Sequence, residues 1–319
     1  MNGGTDFQMH THEQYPVADL QILLAFPFTL LFVFYIVAVC LSNRKKKTWP
    51  VYRVVAWSFG VLCATLAVIG PIADLGHTDF SAHMIGHLLL GMLAPLLMAL
   101  GAPITLLLRT INVPTARNLT AILRSQPLHF VQHPIIASFL NIGGLWVLYT
   151  TDLFLMMHEN TLLYVIIHVH IFLAGYVFTI SIIYVDLTPL RKSYVYRTVV
   201  FLFALAGHSV LAKYIYANPP SDVPKDQAEL GSMIMYYGGD TVEVGLISIL
   251  FYQWYKKNRP IFSNRKDGFT ISNNKKFTVA GTDIEEVKRL NANAGMSYRE
   301  INEWFAKQQS KAHTSTKKR

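Results

Sequence analysis

The chain has 319 residues, 52% hydrophobic and only 15% charged, with a mean hydropathy of +0.32. Soluble domains carry about 25% charged residues, so this composition excludes an ordinary soluble domain and fits an all-α, polytopic integral membrane protein. The net charge of +9 mostly reflects a polar C-terminal stretch and does not point to nucleic acid as a partner.

In chain order, residues 1–18 read as a short external arm carrying Met9, His10 and His12; a polar tip of this kind is the simplest reading. Seven apolar segments follow, over 19–41, 51–73, 82–100, 134–152, 160–185, 197–217 and 231–255. Each approaches the ~20 residues that cross ~30 Å of hydrocarbon. The first lacks a basic leader and an A-x-A-like cleavage site, so it is expected to be retained. Arg44-Lys45-Lys46-Lys47 after it places that end in the cytoplasm. The short cytoplasmic loops then hold eleven basic residues, while Lys225 is alone in the external loops. Only an odd number of spans gives that bias, with the N-terminus outside and the C-terminus cytoplasmic. A bacterial plasma membrane is the expected location.

Gly70-Pro71 closes the second span, and Asp74, His77 and Asp79 lead from it to His83. Gly101-Ala102-Pro103 ends the third, since proline cannot continue a helix without losing a hydrogen bond. Residues 114–130 mix Leu119, Ile122, Leu123 and Leu128 with Arg117 and Arg124, which predicts an amphipathic interfacial helix after span three. His129 and His133 lie on that cytoplasmic side without an assigned role. The transmembrane domain thus occupies 19–259, and 260–319 form a basic tail. Thr282-Asp283-Ile284-Glu285-Glu286 predicts a capped helix start there, with a second short helix from Tyr298 to Lys307. Cys40 and Cys63 fall within spans and make no CxxC pair, leaving thiol redox chemistry without residues. They read as small buried hydrophobes.

The polar residues within the spans carry the functional signal. His83 and His87 are i,i+4, on one helix face and about 6 Å apart along the axis. They suit a shared metal ion or proton; a pair of interfacial histidines bound to headgroups and water remains an equal alternative. On span five, His168 lies about 12 Å from the external end, and on span six His208 lies about 13 Å in, with Lys213 nearer the surface. His170 points about 200° away from His168 and reads as packed or interfacial. On span seven, Met233, Tyr236 or Tyr237, Asp240 and Glu243 recur at three-to-four spacing and are expected to share one stripe. Asp240 and Glu243 could equally pair with Lys213 or His208 to hold the bundle. Met84, Met92 and Met98 are more often packing residues than ligands. External acids, Asp74, Asp79, Asp152, Glu159, Asp222, Asp226 and Glu229 among them, would concentrate a cation above these histidines. Imidazole and thioether ligands suit copper, and neutral imidazole suits several other metals. No nucleophile, base and orienting group form a triad, so the chain does not read as an enzyme.

The run His83-Met84-x-x-His87-x-Leu89-Leu90-x-Met92-x-Ala94-Pro95-x-Leu97, followed by Leu100-Gly101-Ala102-Pro103, resembles the signature of the caa3-type cytochrome c oxidase assembly factors. His133-Pro134, His168 seven residues before Gly175, and Asp226-Gln227-x-x-x-Gly231-x-Met233-Ile234-Met235 are similar to that family too. The chain departs from it at Ile167, where the family often has Glu, and at Gly238-Gly239-Asp240, which replaces Pro-Gly-Glu but keeps an acid. The resemblance covers about residues 20–255. It implies a non-enzymatic role in maturing a haem–copper oxidase, with an oxidase subunit and membrane lipid as partners. Copper would be held transiently by His83, His87 and His168, with His208 or Met84 joining, and Asp240, Glu243 and Lys213 as supporting acid and base groups. Two rival expectations stand beside this: a membrane haem protein with histidine axial ligands, and a cation or proton-coupled transporter built on Asp240 and Glu243.

Overall fold

The structure, a computed structural model, describes residues 17–188, 191–258 and 283–293. Residues 1–16 of the expected arm 1–18, with Met9, His10 and His12, and the second tail helix expected at Tyr298 to Lys307 lie outside the described residues. The chain divides into two units, residues 1–259 and 260–319. In the second, Asp283 opens helix Ile284–Asn293. Its carboxylate accepts from the Glu285 and Glu286 backbone N–H groups at 2.9 and 3.3 Å, the capped start that the sequence predicts.

Six helices of the first unit are long and apolar enough to cross a membrane, and up to seven if a bent pair counts as one. They are α1 (Val17–Lys45), α2 (Val51–Val68), a compound span of α4 (Phe80–Leu88) and α5 (Ala94–Leu100), then α12 (Thr161–Ile182), α13 (Tyr194–Ala217) and α14 (Lys225–Asn258). The bent pair joins Pro134–Thr150 to α11 (Leu153–Glu159) at 80°. A short α3 (Pro71–Gly76) follows Gly70, whose φ of 88° is the left-handed turn that glycine adopts without steric cost.

The compound span sits at the centre. In its most apolar window 56% of residues are buried inside the protein, against 22% for the first span. It packs on α2, α12 and α14. A π-helical turn, Leu89–Leu93, lies between α4 and α5, and a second, Phe139–Gly143, divides α9 (Pro134–Ser138) from α10 (Gly144–Thr150). Such turns occur at functional sites more often than chance allows. Here the first one begins two residues after His87. It also brings Gly91 against α12, where a Cβ on Gly175 would lie 2.0 Å from the Gly91 carbonyl oxygen. Only glycine at 175 permits that approach, which fixes the height of His168 relative to His87.

Connections 46–50, 101–133, 183–188 and 191–193 gather at one end of the bundle, which we term the basic end. Tyr35 donates its hydroxyl to the Gly101 carbonyl at 2.8 Å and accepts from Trp49 Nε1 at 3.1 Å. Arg53 and Arg109 lie over the Trp49 ring at 4.8 and 5.0 Å. Ala102, not the preceding glycine, takes the left-handed conformation, with φ 49°. Gly101 is held instead in close contact with Trp57. The ~1–2 kcal/mol that a Cβ costs there is offset by Asp186, whose carboxylate caps α6 (Pro103–Thr110). It accepts from the Ile104 and Thr105 N–H groups at 2.6 and 2.8 Å and from the Thr105 hydroxyl.

The expected interfacial helix is two helices, α7 (Val113–Leu123) and α8 (Gln126–Val131), and neither buries a residue. The cysteine reading needs correction. Cys40 is exposed and Cys63 only half-buried, because α1 and α2 turn much of their surface outward.

Candidate functional site

Connections 69–79, 151–160 and 218–224 close the opposite, histidine end. A cavity of about 160 Å³ opens there, lined by His77, Asp79, Phe80, His158, Asp222 and Gln227 among others. Its parts are placed by helix starts. Asp79 caps α4 through Ser81 N–H at 2.6 Å, and Gln227 at the start of α14 accepts from Phe80 N–H at 3.0 Å. His158 arrives on α11, which the 80° bend folds back across this end. Sequence alone does not single out His158, because it lies in what hydropathy treats as a loop. The run Met156-Met157-His158-Glu159 between two apolar segments was the available signal.

From this mouth a file of imidazoles runs inward. His158 is exposed, His77 half-buried, and His83 and His168 are buried. Ring centres are 6.3 Å apart for His77–His158, 6.1 Å for His83–His158 and 6.5 Å for His83–His168. Burial holds the His77 ring below the usual imidazole range; the neighbouring His158 adds to this and Asp74 opposes it. Two of these rings are pre-oriented. His168 Nδ1 lies 2.9 Å from the Tyr164 carbonyl, and His158 Nδ1 lies 2.9 Å from the Phe154 carbonyl. A carbonyl oxygen only accepts, so Nδ1 carries the proton in each neutral ring and Nε2 keeps the lone pair. That is the outer-shell arrangement typical of metal-ligating histidines. Tyr164 also stacks on His168, ring centres 3.9 Å apart. His83 is fixed differently, by the buried Tyr149 hydroxyl 3.1 Å from its Nε2. Nothing in the sequence marked Tyr149, an aromatic residue in an apolar span.

His83, His87, Tyr164 and His168 line one small cavity of about 20 Å³. His87 also lines a second of about 20 Å³, together with Met92, Asn141, Thr179, His208 and Glu243. His87, His208 and Glu243 are 5%, 1% and 5% exposed. His208 Nδ1 is 3.7 Å from Glu243 Oε1. Both nitrogens of His87, both nitrogens of His208 and Glu243 Oε2 have no hydrogen-bond partner. Each such buried group costs about 1–3 kcal/mol, so five in one place call for a specific reason. Gly239 makes the site possible: a Cβ there would fall 2.3 Å from His208 Cε1.

The other expected members are not brought in. Met84 is fully buried but turns to α14, where a Cβ on Gly231 would meet its Cγ at 3.3 Å. Lys213 is exposed, its Nζ 5.3 Å from the Tyr236 ring centre. The expected stripe on α14 is displaced. Glu243 faces inward with Gly231, Met235, Gly239 and Leu246, while Met233 and Tyr237 are 46% and 64% exposed and Asp240 is half-buried. Helical spacing fits either stripe, and the glycines allow the close contacts that select the observed one. Glu243 pairs with His208 and not with Lys213. Outside the cluster, His170 is exposed with Nε2 3.3 Å from the Leu140 carbonyl, and His129 is exposed at the basic end.

Among the described residues no three His, Cys, Asp or Glu side chains already stand at metal-holding positions. Two imidazoles on one ion at ~2.0 Å would have ring centres roughly 5 to 6.3 Å apart, tetrahedral to linear. His77–His158 and His83–His158 lie at the wide end of that range, and His83–His168, at 6.5 Å, lies just beyond it. This chain also carries a recognisable sequence relationship: the model of the cytochrome c oxidase caa3 assembly factors (Caa3_CtaG) matches residues 33–257. The chain belongs to this family. All of the histidines of the file fall inside the matched region of the assembly-factor family, and the tail lies beyond it. Similar proteins include the uncharacterized protein ML1998 of Mycobacterium leprae, 32% identical over 241 residues, covering 69% of this chain and 36% of that one. The uncharacterized protein Mb0105 of Mycobacterium bovis is 29% identical over 243 residues, covering 69% and 37%. The chain therefore spans little more than a third of the length of the curated relatives it matches. No solved structure matches it.

Proposed function

We propose that this protein is a non-enzymatic assembly factor for a haem–copper oxidase. It takes copper as cargo at the histidine end and passes it to an oxidase subunit. The observation that supports the reading is the pair His158 and His168, each with Nδ1 committed to a backbone carbonyl, the tautomer whose Nε2 lone pair suits a metal. With His83 between them, they form an imidazole intake that closes on an ion by a movement of about an ångström, or holds it two-coordinate. Soft and borderline ions such as copper suit neutral imidazole. Asp79 and Asp222 in the mouth lining raise the local concentration of a cation.

The loop-charge bias supports a basic end in the cytoplasm and a histidine mouth outside, in the plasma membrane of a bacterium. Helices α7 and α8, which bury nothing, then lie on the inner lipid surface as the interfacial segment. The two cavities that hold the buried histidines, about 20 Å³ each, suit an ion rather than a porphyrin, since pockets for organic ligands run to ~300 Å³ and more. That favours copper cargo over axial haem ligation.

The test is the copper content of the oxidase in membranes of cells carrying His83→Ala, His87→Ala or His168→Ala. The oxidase polypeptides should be made but lack copper at the catalytic centre, while His129→Ala leaves loading unchanged. Normal loading in all three outer variants overturns the delivery reading.

A further inference from the structure

We infer that His87, His208 and Glu243 form a second, deeper station for a monovalent copper ion, beyond the intake. This inference rests on the copper reading of the mouth and adds a position to it.

The spacing of one donor pair fits an ion, and His87 closes on it by a side-chain movement, since among the described residues no three such side chains already stand at metal-holding positions. Two donors bound to one ion at ~2.0 Å are roughly 3.3 Å apart if tetrahedral and about 4 Å apart if linear. His208 Nδ1 and Glu243 Oε1, at 3.7 Å, fall between these values and outside hydrogen-bond range. Although the two groups face each other, His208 Nδ1, His208 Nε2 and Glu243 Oε2 have no hydrogen-bond partner. The cavity between them and His87, about 20 Å³, is the size of a single ion or water. Met92 on its lining adds a thioether, a donor that suits copper in its lower oxidation state.

Charge sets the valence. A net charge this far inside an apolar bundle is costly. One ionised carboxylate neutralises a monovalent ion completely, whereas a divalent ion would leave a residual charge. The intake has imidazoles and no carboxylate among its inner groups, but its outermost ring is exposed, so water and the acidic rim moderate the charge there. His87 lines both cavities and is the ligand that can be handed from one station to the next.

The experiment is anaerobic titration of the detergent-purified full chain with Cu+ against a chromophoric competitor, using the wild type, His168→Ala, His208→Gln and Glu243→Gln. The wild type should hold about two ions. His208→Gln and Glu243→Gln should each lose one and keep the other, and retention of the mouth ion shows that these near-isosteric variants are folded. His168→Ala should lose the mouth ion. A wild type holding a single ion that His168→Ala abolishes and Glu243→Gln leaves in place removes the deeper station and leaves the intake standing. Two ions unaffected by both deeper variants also overturn it. A wild type that binds none removes both readings.

Discussion

The two ends of the bundle treat buried polar groups in opposite ways. At the basic end the large polar side chains are engaged. Tyr35 joins Trp49 to Gly101, and the Asp186 carboxylate gathers donors from Ile104, Thr105 and Leu187. Arg197, 1% exposed, donates to the Ile182 carbonyl and lies over Tyr184 and Tyr194 at 3.9 and 4.4 Å. Single atoms such as Trp57 Nε1 and Arg197 Nε are unpartnered there. At the histidine end three side chains, His87, His208 and Glu243, keep five polar atoms without a hydrogen-bond partner on the lining of one cavity. Polar groups that hold a fold together are used up in doing so. The groups left open are those that the proposed copper cargo would occupy.

The contrast is broken most severely at the histidines. His168→Ala removes the imidazole that the proposed copper intake uses and its stacking on Tyr164, and oxidase copper should fall by ~10-fold or more, since even changes around a ligand cost about 10–100-fold at metal sites. The check is metal analysis of the isolated oxidase, with the variant's own level in membranes measured beside it. His158→Ala should give a smaller loss, because His158 is exposed and stands at the entry.

Next in size is Gly175→Ala. Its Cβ would meet the Gly91 carbonyl oxygen at 2.0 Å, and overpacking of this kind costs about 1–3 kcal/mol or more. The thermal midpoint should drop, and copper uptake should drop with it because His168 shifts relative to His87. A variant with unchanged midpoint and uptake would show that the helices do not touch there.

Asp186→Ala sharpens the comparison from the other end. Losing the cap of α6 should cost about 1–2 kcal/mol, visible as a lower midpoint, while copper bound per folded molecule stays the same. A copper defect in this variant would mean that the two ends are coupled. The smallest effect is expected for removal of residues 265–319, which lie beyond the family match: membrane insertion and oxidase loading should be unaltered.

Much of this was legible because hydropathy and helix spacing are local properties. The apolar segments, the break at Gly101-Ala102-Pro103, the shared face of His83 and His87, and the cap at Asp283 all depend on residues within a turn or two of one another. The errors share a cause. An apolar span suggests a buried Cys40, but one helix of a bundle buries only a strip of its surface and Cys40 is exposed. The α14 stripe was drawn through Met233 and Asp240, because spacing cannot tell which of two adjacent stripes meets a neighbour.

By itself, then, the sequence determined that this is a helical membrane protein with histidines in its spans, since the cost of placing polar groups in hydrocarbon is written residue by residue. The tertiary structure alone decided which of those histidines meet. The 80° bend brings His158 over the mouth, the Gly91–Gly175 contact sets His168 against His87, and Gly239 admits His208 beside Glu243. Close approach between helices depends on atoms far apart in the chain, and no periodicity along one helix encodes it.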